Sequence, residues 1–153
     1  NIPLEEYRRI LEINLMSAIT LCTHAIPYLK PGNLIAIASI AGCEVLGAPL
    51  PYAVAKTALI SFIKNLASQV ADLGIRANSI SPGNVMFDGS TWDDKLKENP
   101  EKVRSYIESQ VPLKTFAQVE DIAQAVLFLE QAHFITGQNL IVDGGQCSRG
   151  FKG

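Results

Sequence analysis

The spacing of apolar residues divides the chain into helices that alternate with short buried strands. In residues 4–30, apolar side chains recur every three or four positions, which is typical of an amphipathic helix that Pro31 and Gly32 end. The runs LIAIAS (residues 34–39) and IRANSIS (residues 75–81) are short and largely apolar, as in strands buried on both faces of a parallel sheet. NLIV, at residues 139–142, predicts a third strand.

Three more helices complete the predicted order. The first spans residues 51–73 with Pro51 in its first turn. The second follows a polar, glycine-containing loop, with Asn99 as its cap and Pro100 at its first position, and the third spans residues 119–131. The order α-β-α-β-α-α-β predicts an α/β fold whose parallel sheet is covered by helices on both faces.

Composition and charge narrow the class of protein. The 153 residues suffice for one domain, and 48% apolar with 18% charged residues is ordinary for a soluble globular protein. A net charge of −2 without a basic cluster argues against a nucleic-acid partner. The apolar runs are interrupted before they reach the length of a membrane span, and the first residues resemble no secretory signal. We therefore expect neither a membrane nor a nucleic-acid partner.

The cysteines and histidines indicate reduced thiols and no metal. The cysteines Cys22, Cys43 and Cys147 are odd in number and far apart, which favours a cytoplasmic protein over a disulfide scaffold. His24 and His133 have no partners at ligand spacing. Hence the sequence predicts no metal site.

One short stretch, PYAVAKTALISF, contains candidate chemistry. Its Tyr52 and Lys56 are four residues apart, so on a helix they lie on the same face. A free tyrosine is almost entirely protonated at neutral pH, but a neighbouring cation favours the phenolate form. Such a phenol can take a proton from an alcohol or give one to a carbonyl. The spacing alone is a weak signal, because a packed tyrosine ring and a lysine extended into solvent produce the same pattern.

Five stretches in this order resemble the short-chain dehydrogenase/reductase family. They are INLMSAITLCTHAIPYL, LIAIASIAG, PYAVAKTALISF, IRANSISPGNV and ITGQNLIVDGG. Ser39, at the end of the second stretch, lies thirteen residues before Tyr52, which is the usual interval in the family. The resemblance covers nearly the whole chain and implies a Rossmann-like doubly wound parallel sheet.

The resemblance assigns four catalytic residues. Tyr52 would be the general acid/base, and Lys56 would assist it and hold the nicotinamide ribose. Ser39 would donate a hydrogen bond to the substrate oxygen, and Asn14 would help to hold a water molecule that links Lys56 to solvent. Alternatively, Ser39 completes a turn at the end of a strand, and Asn14 is a polar residue tolerated within a helix.

The resemblance also implies a nicotinamide site. Pro82 and Gly83 would let the backbone approach the nicotinamide, and Val85 would bond its carboxamide through backbone atoms; alternatively Pro82–Gly83 is a plain turn. Phe87 stands where the family often has a threonine, so a hydroxyl anchor is absent there. The implied cofactor is NAD or NADP.

Substrate and assembly follow from the same resemblance. Residues 84–112 correspond to the family's substrate lid, and the implied substrate is a small alcohol or ketone, as in 3-oxoacyl reductases or hydroxysteroid and polyol dehydrogenases. The helices of Asn14 and Tyr52 would pair between subunits in a homodimer or homotetramer.

The chain contains no G-x-G-x-x-G motif, which the family places before these stretches. We therefore expect residues 1–153 to be the C-terminal portion of a dinucleotide-binding domain, with strand 34–39 exposing an unpaired apolar edge. Two alternatives remain open. One is a truncated, inactive relative that acts by helix-mediated association, and the other is an enzyme of this fold that performs epimerisation or dehydration.

Overall fold

The structure, a computed structural model, describes residues 2–148, so residues 1 and 149–153 of the predicted domain lie outside the described residues. Its helices are α1 (Leu4–Leu11), α2 (Ser17–Ala25), α3 (Leu50–Val70), α4 (Thr91–Glu98), α5 (Pro100–Gln110) and α6 (Val119–Gln131). Its strands are β1 (Gly32–Ile37), β2 (Ile75–Pro82) and β3 (Asn139–Val142). This alternation confirms the predicted α/β class.

The three strands form a parallel sheet in the order β1-β2-β3, so β2 is central. Along β2, Ile75 and Ala77 face a core built around α3, whereas Ile80 faces a smaller core that includes Leu129 of α6. Because successive side chains of a strand point to opposite faces, α3 and α6 cover the two faces of the sheet. The predicted two-sided cover is therefore present.

Strand β1 differs from the prediction in its bounds and its burial. It ends at Ile37, and Ser39 lies two residues beyond it, although the amide of Ala38 still donates to the carbonyl of Ile80 over 2.7 Å. Within the described residues β1 pairs only with β2, and Ile37 is 45% exposed. β1 is therefore only partly buried rather than buried on both faces, and its unpaired apolar edge agrees with the expectation for this strand.

The predicted helix of residues 4–30 is interrupted. A π-helical turn, Glu12–Met16, separates α1 from α2, and a 3₁₀ turn, Ile26–Tyr28, follows α2. Apolar residues continue to recur every three or four positions through this turn, so periodicity alone did not reveal it. By length and composition, Leu4–Tyr28 could cross a membrane, contrary to the expectation from its apolar runs. Core helices and signal sequences meet the same criteria, so this property alone assigns no location.

The loop predicted before Asn99 contains a helix, α4. Ser90 is its cap, and its hydroxyl accepts a hydrogen bond from the amide of Asp93 over 3.0 Å. A serine followed three residues later by an acidic residue is a known signal for a helix start, and the sequence contained it. The high polarity of Thr91–Glu98 concealed this helix, since it offers few apolar positions to define a period.

Arg76 joins β2 to the C-terminal end of α6. Its guanidinium donates to the carbonyls of Leu129, Ile135 and Glu130 over 2.9, 3.0 and 2.9 Å. The last carbonyls of a helix have no partner within the helix, so a cation that donates to them satisfies acceptors and complements the helix dipole. Arg76 therefore stabilises the packing of α6 on the sheet.

We predict that Arg76→Ala lowers the free energy of unfolding by about 2–4 kcal/mol, because a charged donor to several carbonyls is lost. Urea unfolding followed by circular dichroism measures this difference. Arg104→Ala, which removes the same side chain from an exposed position on α5, is the control and should change stability by less than about 0.5 kcal/mol. Equal losses in both variants would contradict the assigned role.

Candidate active site

A cleft of about 1250 Å³ opens at the carboxyl ends of the three strands. Ser39, which follows β1, and Gly83 and Val85, which follow β2, line it together with Tyr52 of α3. Parallel sheets in α/β proteins bind their ligands at this edge. Four of the seven predicted site residues thus share one cleft.

Tyr52 lies in the first turn of α3. Pro49 caps this helix and its carbonyl accepts from the amide of Ala53 over 3.0 Å, while Pro51 fills the first turn and is buried. The fixed φ of proline suits this position, so the sequence itself begins the helix here. Tyr52 consequently points from a rigid element and lines the cleft half-buried.

Lys56 lies one turn further along α3, with its Nζ 5.6 Å from the centroid of the Tyr52 ring. The same Nζ donates to the carbonyl of Ile37 over 3.0 Å, at the end of β1. Burial lowers the pKa of the Lys56 ammonium. A half-buried, hydrogen-bonded lysine differs from the alternative of a side chain extended into solvent.

Ser39 begins the turn that follows β1. Its Oγ accepts from the amide of Ala41 over 3.2 Å and so caps the 3₁₀ turn Ile40–Gly42. The alternative role of completing a turn is therefore real. It does not exclude the other role, because a hydroxyl that accepts a hydrogen bond keeps its own hydrogen to donate.

The Ser39 turn packs directly on α3 through Gly42. A Cβ on Gly42 would lie 2.7 Å from the carbonyl carbon of Lys56 and 2.7 Å from the amide nitrogen of Thr57. The Thr57 hydroxyl lies 3.1 Å from the carbonyl oxygen of Gly42 and 2.9 Å from that of Ala53, so its one hydrogen is shared between them. Only glycine allows this approach, and it fixes the distance between the Ser39 turn and the helix of Tyr52.

Asn14, Lys56 and Pro82 do not line the cleft within the described residues. Asn14 lies in the π-helical turn, and its Nδ2 donates to the carbonyl of Ile10 over 3.1 Å. Such turns inside helices are frequent at functional sites. Pro82 is the last residue of β2 and immediately precedes Gly83, which does line the cleft.

Gly83 and Val85 occupy the segment after β2. A Cβ on Gly83 would lie 2.8 Å from the Cα of Asp143, so the close approach that requires this glycine is to the end of β3. Val85 forms a parallel bridge with Ala117. The bridge uses the amide of Met86 and the carbonyl of Asn84, at 2.9 Å each, which leaves the peptide groups of Val85 itself outside it.

The sequence reasoning did not single out two buried polar residues of the cleft, Asn84 and Gln146. The Nδ2 of Asn84 donates to Oε1 of Gln146 over 2.8 Å, and Nε2 of Gln146 donates to the hydroxyl of Tyr106 over 3.0 Å. The available signal was that each follows a glycine turn at the end of a strand. These bonds tie the ends of β2 and β3 to α5.

Aromatic side chains form the outer wall of the cleft. The ring of Trp92 stacks on Tyr106 with centroids 5.2 Å apart and meets the edge of Phe116 at 5.6 Å. Lys95 places its Nζ 4.6 Å from the centroid of Trp92. Among residues 2–148, no group of three or more possible metal ligands lies close enough together to hold an ion.

The comparisons with known proteins agree with this arrangement. A family model described as enoyl-(acyl carrier protein) reductase matches residues 1–146. An uncharacterized short-chain type dehydrogenase/reductase of Sinorhizobium fredii is 39% identical over 95% of this chain, and a 3-oxoacyl-(acyl carrier protein) reductase of Rickettsia felis is 37% identical over 92%. A solved structure of 4-hydroxyisoleucine dehydrogenase complexed with NADH is 27% identical, with a TM-score of 0.84 over 97% of this chain.

The chain is shorter than each of these proteins. It covers 26% of the Sinorhizobium relative, 58% of the Rickettsia relative and 62% of the dehydrogenase structure. The position of the chain at the C-terminal side of such a domain stays a prediction. The family match over residues 1–146 and the Rossmann-type neighbour lead to one conclusion. The chain belongs to the short-chain dehydrogenase/reductase family.

Proposed function

We propose that the natural protein containing this chain is an NAD(P)-dependent oxidoreductase of small alcohols and ketones. Hydride would pass between the nicotinamide and the substrate carbon, and Tyr52 would exchange the proton with the substrate oxygen. The observation that carries the proposal is the presence of Ser39 and Tyr52 in one cleft with the ammonium of Lys56 beside the tyrosine ring. A phenol and a hydroxyl donor that line one cleft, with a cation beside the phenol ring, suit an alcohol–carbonyl conversion.

The geometry supports separate roles for the three side chains. Positive charge on Lys56 stabilises negative charge on the Tyr52 oxygen when it gives up its proton. The free hydrogen of the Ser39 hydroxyl can bond the substrate oxygen and stabilise charge that develops there. The Ser39 turn and the helix of Tyr52 are held together by backbone contacts. These two groups would therefore move little during the reaction.

The residues present fit the nicotinamide half of a dinucleotide. Lys56 uses one of its hydrogens on the carbonyl of Ile37, which leaves two for ribose hydroxyls. Gly83 and Val85 bring backbone to the same side of the cleft. Once bound, the nicotinamide would supply or accept the hydride, and Asn14 would support proton exchange between Lys56 and solvent.

Residues 84–112 form the substrate lid in this proposal. Five of its apolar and aromatic residues line the cleft: Val85, Phe87, Trp92, Val103 and Tyr106. An apolar wall suits the hydrocarbon part of a 3-oxoacyl or hydroxysteroid substrate, whereas a polyol, the third class that the resemblance implies, needs polar partners for its hydroxyls. We also propose that the protein is cytoplasmic and assembles as a homodimer or homotetramer.

Replacing Tyr52 by phenylalanine removes the proton-transfer group but keeps the ring. In the full-length natural protein we predict at least a 100-fold loss of kcat, because general acid–base catalysis typically contributes about 10²–10⁴-fold. NADH or NADPH binding, followed by nicotinamide fluorescence, should be unchanged. Tyr28→Phe, at a tyrosine that is 88% exposed, is the matched control and should retain full turnover. Retained turnover in Tyr52→Phe would refute the assignment.

The lowered pKa of Lys56 predicts a pH dependence of turnover. A lysine with a lowered pKa loses its positive charge at a lower pH than the ordinary 10.5. As the pH rises through this lowered pKa, Lys56 loses the charge that assists Tyr52. We therefore expect kcat to fall on an alkaline limb centred below pH 10.5. Lys56→Arg should move this limb upwards or abolish it, because arginine stays protonated. An unshifted limb in Lys56→Arg would assign the titration to another group.

A second candidate function is an inactive relative that acts through association of its helices. The exposed apolar side chains on α1, the π-helical turn and α2 favour it, since Leu4, Ile13 and Leu21 are 64%, 56% and 70% exposed. Titration of the full-length natural protein with NADH and NADPH separates the two candidates. We expect saturable binding of at least one cofactor, and no binding of either would favour the inactive relative.

A further inference from the structure

We propose that Cys43 and Asn139 are positioning residues that hold the Ser39 turn, residues 39–43, at a fixed height above the sheet. Neither residue lines the cleft among the described residues. Their effect on turnover rests on the proposed function, whereas their effect on the turn itself can be measured without it.

The thiol of Cys43 connects the turn to the sheet beneath it. Its Sγ lies 3.6 Å from the hydroxyl oxygen of Ser81 on β2 and 3.8 Å from the carbonyl oxygen of Ser39. It also accepts from Nδ2 of Asn139 on β3 over 3.4 Å. A thiol is a weak donor and a weak acceptor, and here both capacities meet partners. The turn that contains Ser39 is therefore bonded to two strands through one side chain.

Two buried serines fix the orientation of the Asn139 amide. The hydroxyls of Ser79 and Ser81, which are 1% and 0% exposed, each lie 2.8 Å from Oδ1 of Asn139. An amide oxygen that accepts from two hydroxyls leaves its nitrogen to face the other way, towards Cys43. Buried hydroxyls are costly to leave without partners, so this amide is held firmly. Asn139 thus presents a fixed N–H to the thiol.

The opposite side of the turn is held by α3. Gly42 lies against the peptide between Lys56 and Thr57, and the Thr57 hydroxyl bonds the Gly42 carbonyl. This contact sets how far the turn lies from the helix of Tyr52, and the Cys43 contacts set how far it lies from the sheet. Both distances must be fixed to place the Ser39 hydroxyl relative to Tyr52. Loss of the thiol contacts leaves the distance between the turn and the sheet unfixed.

Hydrogen exchange of the turn amides tests the positioning directly. The amides of Gly42 and Glu44 donate to the carbonyls of Ser39 and Ile40 over 2.9 and 3.0 Å, so they report on opening of the turn. We expect Cys43→Ala to speed their exchange about 10-fold, the effect of one net hydrogen bond. Cys43→Ser keeps a donor and an acceptor and should restore most of the protection.

Cys22→Ala is the control, because it removes a thiol of α2 that is buried in the core and lies away from the Ser39 turn. It should lower global stability without selective exchange at Gly42 and Glu44. Unchanged exchange in Cys43→Ala, or equal acceleration in Cys22→Ala, would overturn the proposal. If Cys43→Ala fails to fold, Asn139→Asp tests the same connection from the side of the sheet.

Asn139→Asp removes the N–H that faces the thiol but keeps oxygens for Ser79 and Ser81. In the full-length natural protein we expect Cys43→Ala and Asn139→Asp each to lower kcat about 3- to 10-fold with unchanged cofactor affinity. The double variant should be no slower than the slower single variant, because both changes break one connection. A double variant whose kcat falls by the product of the two single factors would contradict the connection. A change in KM with unchanged kcat would contradict it too.

The proposed function and the positioning role of Cys43 can be refuted separately. A wild-type protein that turns over no alcohol or ketone with either cofactor would refute the proposed function, and the exchange of Gly42 and Glu44 would still decide whether Cys43 holds the turn. An active wild type with unaltered exchange and kcat in Cys43→Ala would refute the positioning role alone.

Discussion

The backbone contact between the Ser39 turn and α3 is the constraint on which the rest of the site depends. Gly42 lies so close to the peptide between Lys56 and Thr57 that a single added carbon would overlap it. This contact fixes the position of the Ser39 turn against α3. As a result, the hydroxyl of Ser39 and the phenol of Tyr52 are held in the same cleft by the backbone.

The sheet supplies the second fixed reference. Parallel strands end at one edge, so the residues that follow β1, β2 and β3 are brought together although they are far apart in sequence. Buried amides and hydroxyls then join these ends, through Asn139 beneath the Ser39 turn and through Gln146 beside α5. Polar networks of this kind, when every member has a partner, make a site rigid and define a single arrangement.

The elements that the sequence predicted well are those with strong local signals. β3, α5 and α6 have the bounds that turn residues, caps and apolar periods indicated. The interruption by Glu12–Met16 and the polar helix α4 were missed, because neither changes the apolar pattern by which helices are recognised. The Tyr52–Lys56 pair illustrates the same limit within the site. Its spacing predicted a shared helix face, but the bond from Lys56 to the Ile37 carbonyl depends on a strand nineteen residues away.

By itself the sequence determined the α/β class, the family resemblance, and the identity of the candidate groups, since helix periods, proline and glycine signals and residue types are all local properties. Only the tertiary structure decided which groups meet. It placed Ser39, Tyr52, Gly83 and Val85 in one cleft, bonded Asn14 to its own helix, and joined Cys43 of the Ser39 turn to Asn139 beneath it. The physical reason is that long-range distances come from packing of whole elements against a common sheet, and no local pattern encodes them.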